Sequence, residues 1–498
     1  MLYDKTHPRL VWAVLIVFFC AAIFVASVPP ADAQGLASNA DTRRYTSYIQ
    51  SVFEFVQNHF VDSVDAQKLY EGAMNGMMAA LGDPYSVFLA EKDMADLNQN
   101  VIQGNYGGVG LYISKPVESA EDNPAYVEIA APIEDTPGWK AGLQPGDLII
   151  EIEGESTETL SMDDVLARLK GPVGENVGIL VRRGKFLTFP VTLTRAVIEV
   201  PTVKQAIIGG DVGYLKLLSF SSMTANRARE VIAGFKKANY KALILDLRNN
   251  YGGRLDAAVD VCEFFLDSGP VVSVKSRIPG QSRDYNARSA ALVPKDMPIV
   301  VLINRGSASA SEIVAGALKD RSRAFLVGEK SFGKGSVQQV YPLERTGAGF
   351  KLTTARYYTP SDVNIDKVGI PPDREVLFPA ISAEESEKLV ALIKARAIPL
   401  FVEEHPDAAK EETQAFSQRI QAEYTLPSPL VDRLIRDEQN RTVISPVYDL
   451  EYDVQLQEAM KVLREENFLH LIQNTKTLRA LQEESAVVEQ ALATPPGN

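Results

Sequence analysis

The most constraining stretch is a short apolar run that passes through a turn of small residues into a helix-like segment. Residues 298–303, Pro-Ile-Val-Val-Leu-Ile, are β-branched and short enough to be a buried strand. Residues 313–318, Ile-Val-Ala-Gly-Ala-Leu, read as a helix. Between them lies Asn304-Arg305-Gly306-Ser307-Ala308-Ser309-Ala310-Ser311-Glu312. Small residues there let another backbone approach closely, and a helix start offers free N–H groups to an oxyanion. The same letters have a plainer use: Ser309-Ala310-Ser311-Glu312 is also S-x-x-E, a capping box.

The second half of the argument lies further on. After an apolar strand, residues 324–328, comes Glu329-Lys330-Ser331-Phe332-Gly333-Lys334-Gly335-Ser336-Val337-Gln338. A lysine between two glycines can sit in a tight, enclosed turn, where desolvation lowers its pKa and makes it a usable base. G-S-A-S-A-S-E followed by G-x-x-S-x-G-K-G-x-x-Q resembles the carboxyl-terminal processing (tail-specific) proteases. The resemblance implies that Ser309 is the nucleophile, Lys334 the general base, and Gln338 the residue that orients the lysine.

Composition narrows the alternatives. The chain has 498 residues and a net charge of −13, with no basic, aromatic-interleaved patch suited to nucleic acid. The negative excess falls mostly after Ala380. Cys20 and Cys262 are the two cysteines; Cys20 lies in the N-terminal apolar run. Cys262 sits in a helical apolar pattern and reads as a buried thiol. No Cys/His cluster has metal spacing, so no metal site and no cofactor are expected. The histidines are His7, His59, His405 and His470, none of them in the strand-rich middle. A Ser-His hydrolase would have to borrow His59, His405 or His470 from helical segments, which geometry permits. A non-catalytic scaffold, with the serine motif serving as a helix cap, is the other rival.

In chain order, residues 1–34 form an export segment. Lys5, His7 and Arg9 precede the uncharged run Leu10 to Val28, and Ala31-Asp32-Ala33 is an A-x-A site. Cleaved signal peptide and membrane anchor are both compatible with that length. Residues 35–95 are expected to be helical. Tyr48, Val52, Phe55, Val56 and Phe60 recur at helical steps, and Leu81-Gly82-Asp83-Pro84-Tyr85-Ser86 ends the pattern with turn chemistry. That turn is assigned to structure only.

Residues 96–195 resemble a PDZ domain on the strength of Ala141-Gly142-Leu143-Gln144-Pro145-Gly146-Asp147-Leu148-Ile149-Ile150. The earlier Gly-rich turn lacks the Gly-Lys-Ser/Thr ending of a phosphate loop. In a PDZ domain this turn, here Gly108, Val109, Gly110 and Leu111, gives N–H groups to a C-terminal carboxylate. The next strand pairs with the peptide. Val165 and Leu169 on the following helix would wall the side-chain pocket, or serve as core.

Residues 196–380 alternate strands with helices, which argues an α/β layer fold. The resemblance sharpens this to the ββα-spiral core shared with Clp proteases and crotonases. Asp246-Leu247-Arg248-Asn249-Asn250-Tyr251-Gly252-Gly253 closes one strand, with Tyr251 where the family often has proline. Gly252 and Ala310 N–H groups are the expected oxyanion hole. Asp246 and Arg248 read as a structural pair. Residues 381–450 look like an inserted acidic helical segment, broken near Pro427 and Pro429. Residues 451–498 form a C-terminal helical region that carries the family's D-x-Q-L-x-x-A pattern at Asp453 and ends in residues expected to lack order. These C-terminal helices offer a surface for a second copy or an adaptor. The whole reads as an exported serine endopeptidase of the bacterial periplasm or the outer face of the cytoplasmic membrane. Its PDZ domain would bind proteins with free C-termini, and cleavage would follow near the tail.

Overall fold

The computed structural model describes residues 40–97, 105–116, 119, 124–184, 187–344, 346–379, 381–440 and 447–493. The expected export segment and the extreme C-terminus lie outside these. No described helix is long and apolar enough to cross a membrane. The chain divides into two compact units, Met1–Gly82 and Asp83–Asn498. In the first, the expected helical region is two helices, Ala40–His59 and Ala66–Ala79. Asp65 starts the second by accepting the Gln67 N–H at 2.9 Å.

The second unit is built around a six-stranded sheet. Its order is Val203–Ile208, Val212–Leu217, Ala242–Asp246, Ile299–Ile303, Phe325–Gly328 and Arg374–Glu375, parallel except for the first strand. The three central strands are covered on both faces, so they read as unbroken apolar runs rather than alternating ones. Alternation decides only which layer each side chain enters. Leu243, Leu245, Val301, Ile303 and Leu326 pack towards helices Thr224–Lys237, Leu255–Cys262 and Ala310–Asp320. Ile244, Val300, Leu302 and Val327 meet Leu456, Ala459 and Val462 of helix Val454–Glu465. The D-x-Q-L stretch is thus the second cover of the sheet. Burying Leu456 and Val462 stabilises it by about 1.5–3 kcal/mol each.

A second sheet joins Val87–Leu89, Gly349–Tyr358, Gly269–Lys275 and Arg283–Ala287, with Ser336–Pro342 also on Gly349–Tyr358. Residues 87–89, expected to end a helical region, therefore belong to this body: Val87 pairs with Lys351 and Leu89 with Gly349.

The PDZ-like segment has its own sheet, in the order Leu111–Ser114, Val127–Pro132, Leu148–Ile152, Asn176–Arg183 and Leu187–Thr194, with Glu155–Ser156 on Leu148–Ile152. Its two ends pair as a ribbon, Asn105–Gly108 with Ala196–Glu199, so the segment enters and leaves at one place. The acidic stretch forms four helices, Ala383–Ala395, Ala397–Glu404, Lys410–Tyr424 and Ser428–Gln439. They enclose a separate core in which the Phe401 and Phe416 rings stack 3.9 Å apart. Pro429 lies in the first turn of the last helix, where its missing N–H is harmless.

Candidate active site

Strand Ile299–Ile303 delivers the chain to Asn304, whose Oδ1 accepts N–H groups from Asn249 (2.9 Å) and Gly306 (3.0 Å). The next residues are stitched to the loop after strand Ala242–Asp246. Ser307 Oγ donates to Leu247 O at 2.8 Å, Ala308 N to Asn250 O at 3.0 Å, and Ser311 Oγ to Asn250 O at 2.8 Å. Ser309 precedes helix Ala310–Asp320 with φ 55° and ψ −111°. For a residue with a side chain this conformation costs on the order of 1–3 kcal/mol, and the stitching holds it. Gly252 shows how tightly the loops meet: a Cβ there would lie 2.8 Å from Ser309 Cβ and 2.9 Å from Ala310 N. Its φ of 99° also excludes side chains.

The capping box is half-used. Glu312 accepts the Ser309 N–H at 2.8 Å, while the Glu312 N–H goes to the Ser309 carbonyl at 2.9 Å; the Ser309 hydroxyl makes no cap hydrogen bond. The carboxylate of Glu312, fully buried, does more than cap. Oε2 also accepts the Lys334 N–H at 2.9 Å, and Oε1 accepts from Gly333 N at 2.7 Å and Ser331 Oγ at 2.6 Å. One oxygen therefore holds the main chain of both Ser309 and Lys334. Tyr357, 1 % exposed, repeats the tie: its hydroxyl donates to the Lys334 carbonyl and approaches the Ser309 carbonyl at 3.2 Å. Burial pushes the Glu312 carboxyl above its ordinary range, opposed by these donors.

The lysine loop is fixed from behind by residues 365–370. Lys367 N donates to Gly333 O at 2.7 Å, and Ile370 N to Ser331 Oγ at 2.6 Å. The Lys334 Nζ lies 4.7 Å from the centre of the Tyr85 ring. Its pKa is lowered, first by burial and then by the positive charge of Lys351; Asp83 and Glu312 pull the other way. The lowered pKa favours the amine form of Lys334, and Ser309 stands at a helix start where Ala310 N–H is the first helical donor. No hydrogen bond joins the Lys334 amine to the Ser309 hydroxyl, and what links the two residues is the main-chain tie through Glu312.

Other expected site residues are placed differently. Gly252 N–H, one expected oxyanion donor, is taken by Asn250 Oδ1 at 2.9 Å because Asn250 closes an Asx turn over it. Gln338 donates to the hydroxyls of Ser336 (2.9 Å) and Thr353 (3.2 Å), and no hydrogen bond joins it to Lys334. A register shift between Val337 and Gln338 accompanies this placement. His405 pairs with Glu412 at 2.7 Å, and His470 Nε2 with Asn474 at 3.2 Å, so both are engaged away from Ser309. No group of His, Cys, Asp or Glu among the described residues could hold a metal ion. Asp246 and Arg248 form a buried pair, extended to Asp453.

In the PDZ-like segment, Gly108, Val109 and Gly110 are buried and Leu111 is half-buried. The carbonyls of Val109 and Gly110 accept from Gly138 N (2.8 Å) and Ile133 N (2.9 Å). In planar peptides the N–H groups of Gly110 and Leu111 then face the opposite side. Gly110 has φ 74°, and a Cβ would collide with Thr136. Val165 and Leu169 are 0 % and 4 % exposed and belong to the domain core.

Three segments match family models: residues 211–376 match peptidase family S41, residues 128–183 a PDZ domain, and residues 26–93 the activating protease CtpB N-terminal domain. A carboxy-terminal-processing protease of Bartonella bacilliformis is 36% identical over 365 residues, covering 72% of this chain and 81% of that one. The chain belongs to the carboxy-terminal-processing protease family. The Synechocystis relative is 38% identical, over 63% of this chain and 72% of its own. Carboxy-terminal processing protease CtpB of Bacillus subtilis is 32% identical, over 69% of each. This family member is therefore a serine protease with a PDZ domain.

Sequence reasoning missed the wider part of the centre. Glu312 was legible only as a cap, and Tyr357 had no signal. Tyr85 and Asp83 stood in a conspicuous turn motif, but nothing in the sequence connected that turn to a lysine about 250 residues away.

Proposed function

We propose that this protease uses Ser309 as nucleophile and Lys334 as general base. The observation that carries the reading is the shared Glu312 Oε2, which holds the main-chain nitrogens of both residues. Neutral Lys334 takes the Ser309 proton as Oγ attacks the scissile carbonyl. Ala310 N–H receives the oxyanion at the helix start. Gly252 N–H joins it when substrate draws that donor from Asn250. Lys334 then gives its proton to the leaving amine, and water resolves the acyl-enzyme. Gln338 supports the lysine loop through Ser336, the second residue after Lys334.

Substrates are proteins or peptides with free C-termini. The Gly108 to Leu111 turn would receive the carboxylate and strand Leu111–Ser114, at the end of its sheet, would pair with the tail. Val165 and Leu169, buried in the domain core, would support that binding strand from beneath. The strand–strand–helix succession from Val203 to Lys237 supports a ββα-spiral core. We divide the chain into residues 1–34, 35–95, 96–195, 196–380, 381–450 and 451–498, with residues 83–95 packed as part of the protease body. Residues 10–28 would direct export, by cleavage or as an anchor, to the periplasm or the outer face of the cytoplasmic membrane; the basic start and A-x-A site support this. The C-terminal helical region, residues 451–498, would be the surface for a second copy or an adaptor, and the separately cored acidic helices after Ala380 would extend it.

The test compares the parent with Ser309→Ala on an unstructured protein carrying a free C-terminus. Hydrolysis by the parent alone is expected; hydrolysis by Ser309→Ala overturns the assignment. Amidating the substrate's C-terminus should weaken its binding, and equal affinity for the two forms would remove the tail-binding role.

A further inference from the structure

Two aromatic rings stand uncovered on the two loops that frame Ser309. Tyr251 is 77% exposed and Phe332 is 56% exposed. Single exposed apolar residues are ordinary, and these would be too if they lay elsewhere. Their backbones, however, are held by hydrogen bonds on both sides. Tyr251 lies between Asn250, which is 0% exposed and donates to Leu217 O at 2.9 Å, and Gly252, which abuts Ser309 Cβ. Phe332 donates its N–H to Ser307 O at 3.0 Å. Its neighbours Ser331 and Gly333 both donate to Glu312 Oε1. Rigid main chain thus carries two rings that the fold leaves largely open to solvent. One lies next in sequence to the glycine against the nucleophile, the other two residues before the base.

We propose that Tyr251 and Phe332 are specificity-determining residues that select apolar aliphatic or aromatic side chains immediately flanking the scissile bond. The inference rests on the Ser309/Lys334 reading. Both loops meet the Ser309 turn, one through Gly252 against Ser309 Cβ and the other through the Phe332 N–H on Ser307 O, so on this proposal a polypeptide whose carbonyl reaches Ser309 runs alongside them. Its neighbouring side chains then cover one or both rings. Burying aromatic surface against an apolar side chain is favourable, and a polar side chain in the same place would lose water without gaining a hydrogen bond. The tail held by the PDZ domain would decide which protein is bound, and the rings would decide which bond is cut.

The experiment uses the full chain and unstructured peptides matched in length and tail, differing only in the residues that flank the cut: Leu and Phe in one set, Ser and Asn in the other. The parent should favour the apolar set in kcat/KM. Tyr251→Ser and Phe332→Ser should each reduce that preference on the order of tenfold, whereas Tyr251→Phe should keep it. Because both side chains are exposed, thermal melting should not move. A second arm measures peptide binding to Ser309→Ala and to Ser309→Ala/Tyr251→Ser; the apolar preference should be present in the first and reduced in the second. If the parent cuts neither set, the protease reading fails while the binding arm still judges the rings. An apolar preference unchanged by both serine substitutions, in turnover and in binding, overturns the proposal. A loss confined to Phe332→Ser overturns the part assigned to Tyr251.

Discussion

Two buried carboxylates, Asp246 and Glu312, lie on neighbouring segments of the same core and are handled in opposite ways. Both are 0% exposed. Asp246 is surrounded by cations: Arg248 contacts it at 2.7 Å, Lys216 approaches to 3.7 Å, and Tyr214 adds a 2.6 Å hydrogen bond. Burial alone would raise its pKa, but Arg248 and the other partners hold it below the usual range. Glu312 accepts hydrogen bonds from neutral donors, and burial leaves its pKa raised. Charge compensation also differs in reach. Arg248 goes on to bind Asp453 at 2.7 Å, so that cluster fastens the C-terminal helix onto the sheet. The Glu312 cluster fastens two loops to each other at the chemical centre. A paired buried charge here acts as a clamp for the fold, and a weakly compensated one ties together the two loops that carry the proposed nucleophile and base.

The largest effect expected is on turnover. Lys334→Arg should fold, because the side chain is only partly buried, but a guanidinium stays protonated and cannot take the serine proton. Hydrolysis should fall by about 10²–10⁴-fold, the usual worth of a general base. An active Lys334→Arg protein would mean that Glu312 organises a loop without chemistry, and the contrast with Asp246 would collapse. Arg248→Ala tests the other side. It takes the closest cation from Asp246 and Asp453, leaving Asp246 with Lys216 at 3.7 Å and Tyr214, and breaking a buried pair in this way costs up to about 3–5 kcal/mol. Chemical denaturation should record that loss. A variant as stable as the parent would show that the clamp is not a clamp.

Glu312→Gln separates the two roles with a smaller effect. An amide keeps the shape but offers one acceptor oxygen where the carboxylate offered two, so donors among Ser309, Gly333 and Lys334 lose their partner. Each unsatisfied group costs about 1–3 kcal/mol. Distortion at the nucleophile should appear as a fall in kcat of roughly 10- to 100-fold with KM little changed. If kcat held and only the melting temperature dropped, Glu312 would be a structural carboxylate of the same kind as Asp246.

This contrast marks what could be read in the sequence. The strand–turn–helix at Ser309 and the glycine-flanked Lys334 were legible because local patterns carry them: an apolar run of strand length, small residues, then helical spacing. The covering helix at Asp453 was also visible as a motif, although its partner Arg248 lay about 200 residues earlier. Glu312 was visible only in its local role, since S-x-x-E describes a cap equally well. Its bonds to Gly333 and Lys334 come from the packing of two loops, for which no spacing rule exists. Val165 and Leu169 show the converse limit: helical spacing marks an apolar face and cannot distinguish core from pocket. Strand Val87–Leu89 was lost because three residues are too few for a periodicity.

The smallest effect probes the field around the lysine. As a base Lys334 works in its neutral form, so activity should rise as pH climbs through its pKa, and the acidic limb of kcat/KM should report that group. Burial depresses the value most, and the positive charge of Lys351 depresses it further. Replacing Lys351 with Gln removes a like charge, which makes protonation of Lys334 easier and raises its pKa. The acidic limb should therefore move to higher pH. Asp83 acts with the opposite sign, so Asp83→Asn should move the limb to lower pH. Lys351 is half-buried, so part of its influence passes through solvent. Added salt should shrink the Lys351→Gln shift without removing the depression caused by burial. A Lys351→Gln profile displaced to lower pH, or both variants moving in the same direction, would mean that the limb belongs to another group and that Lys334 is not the base Glu312 holds in place.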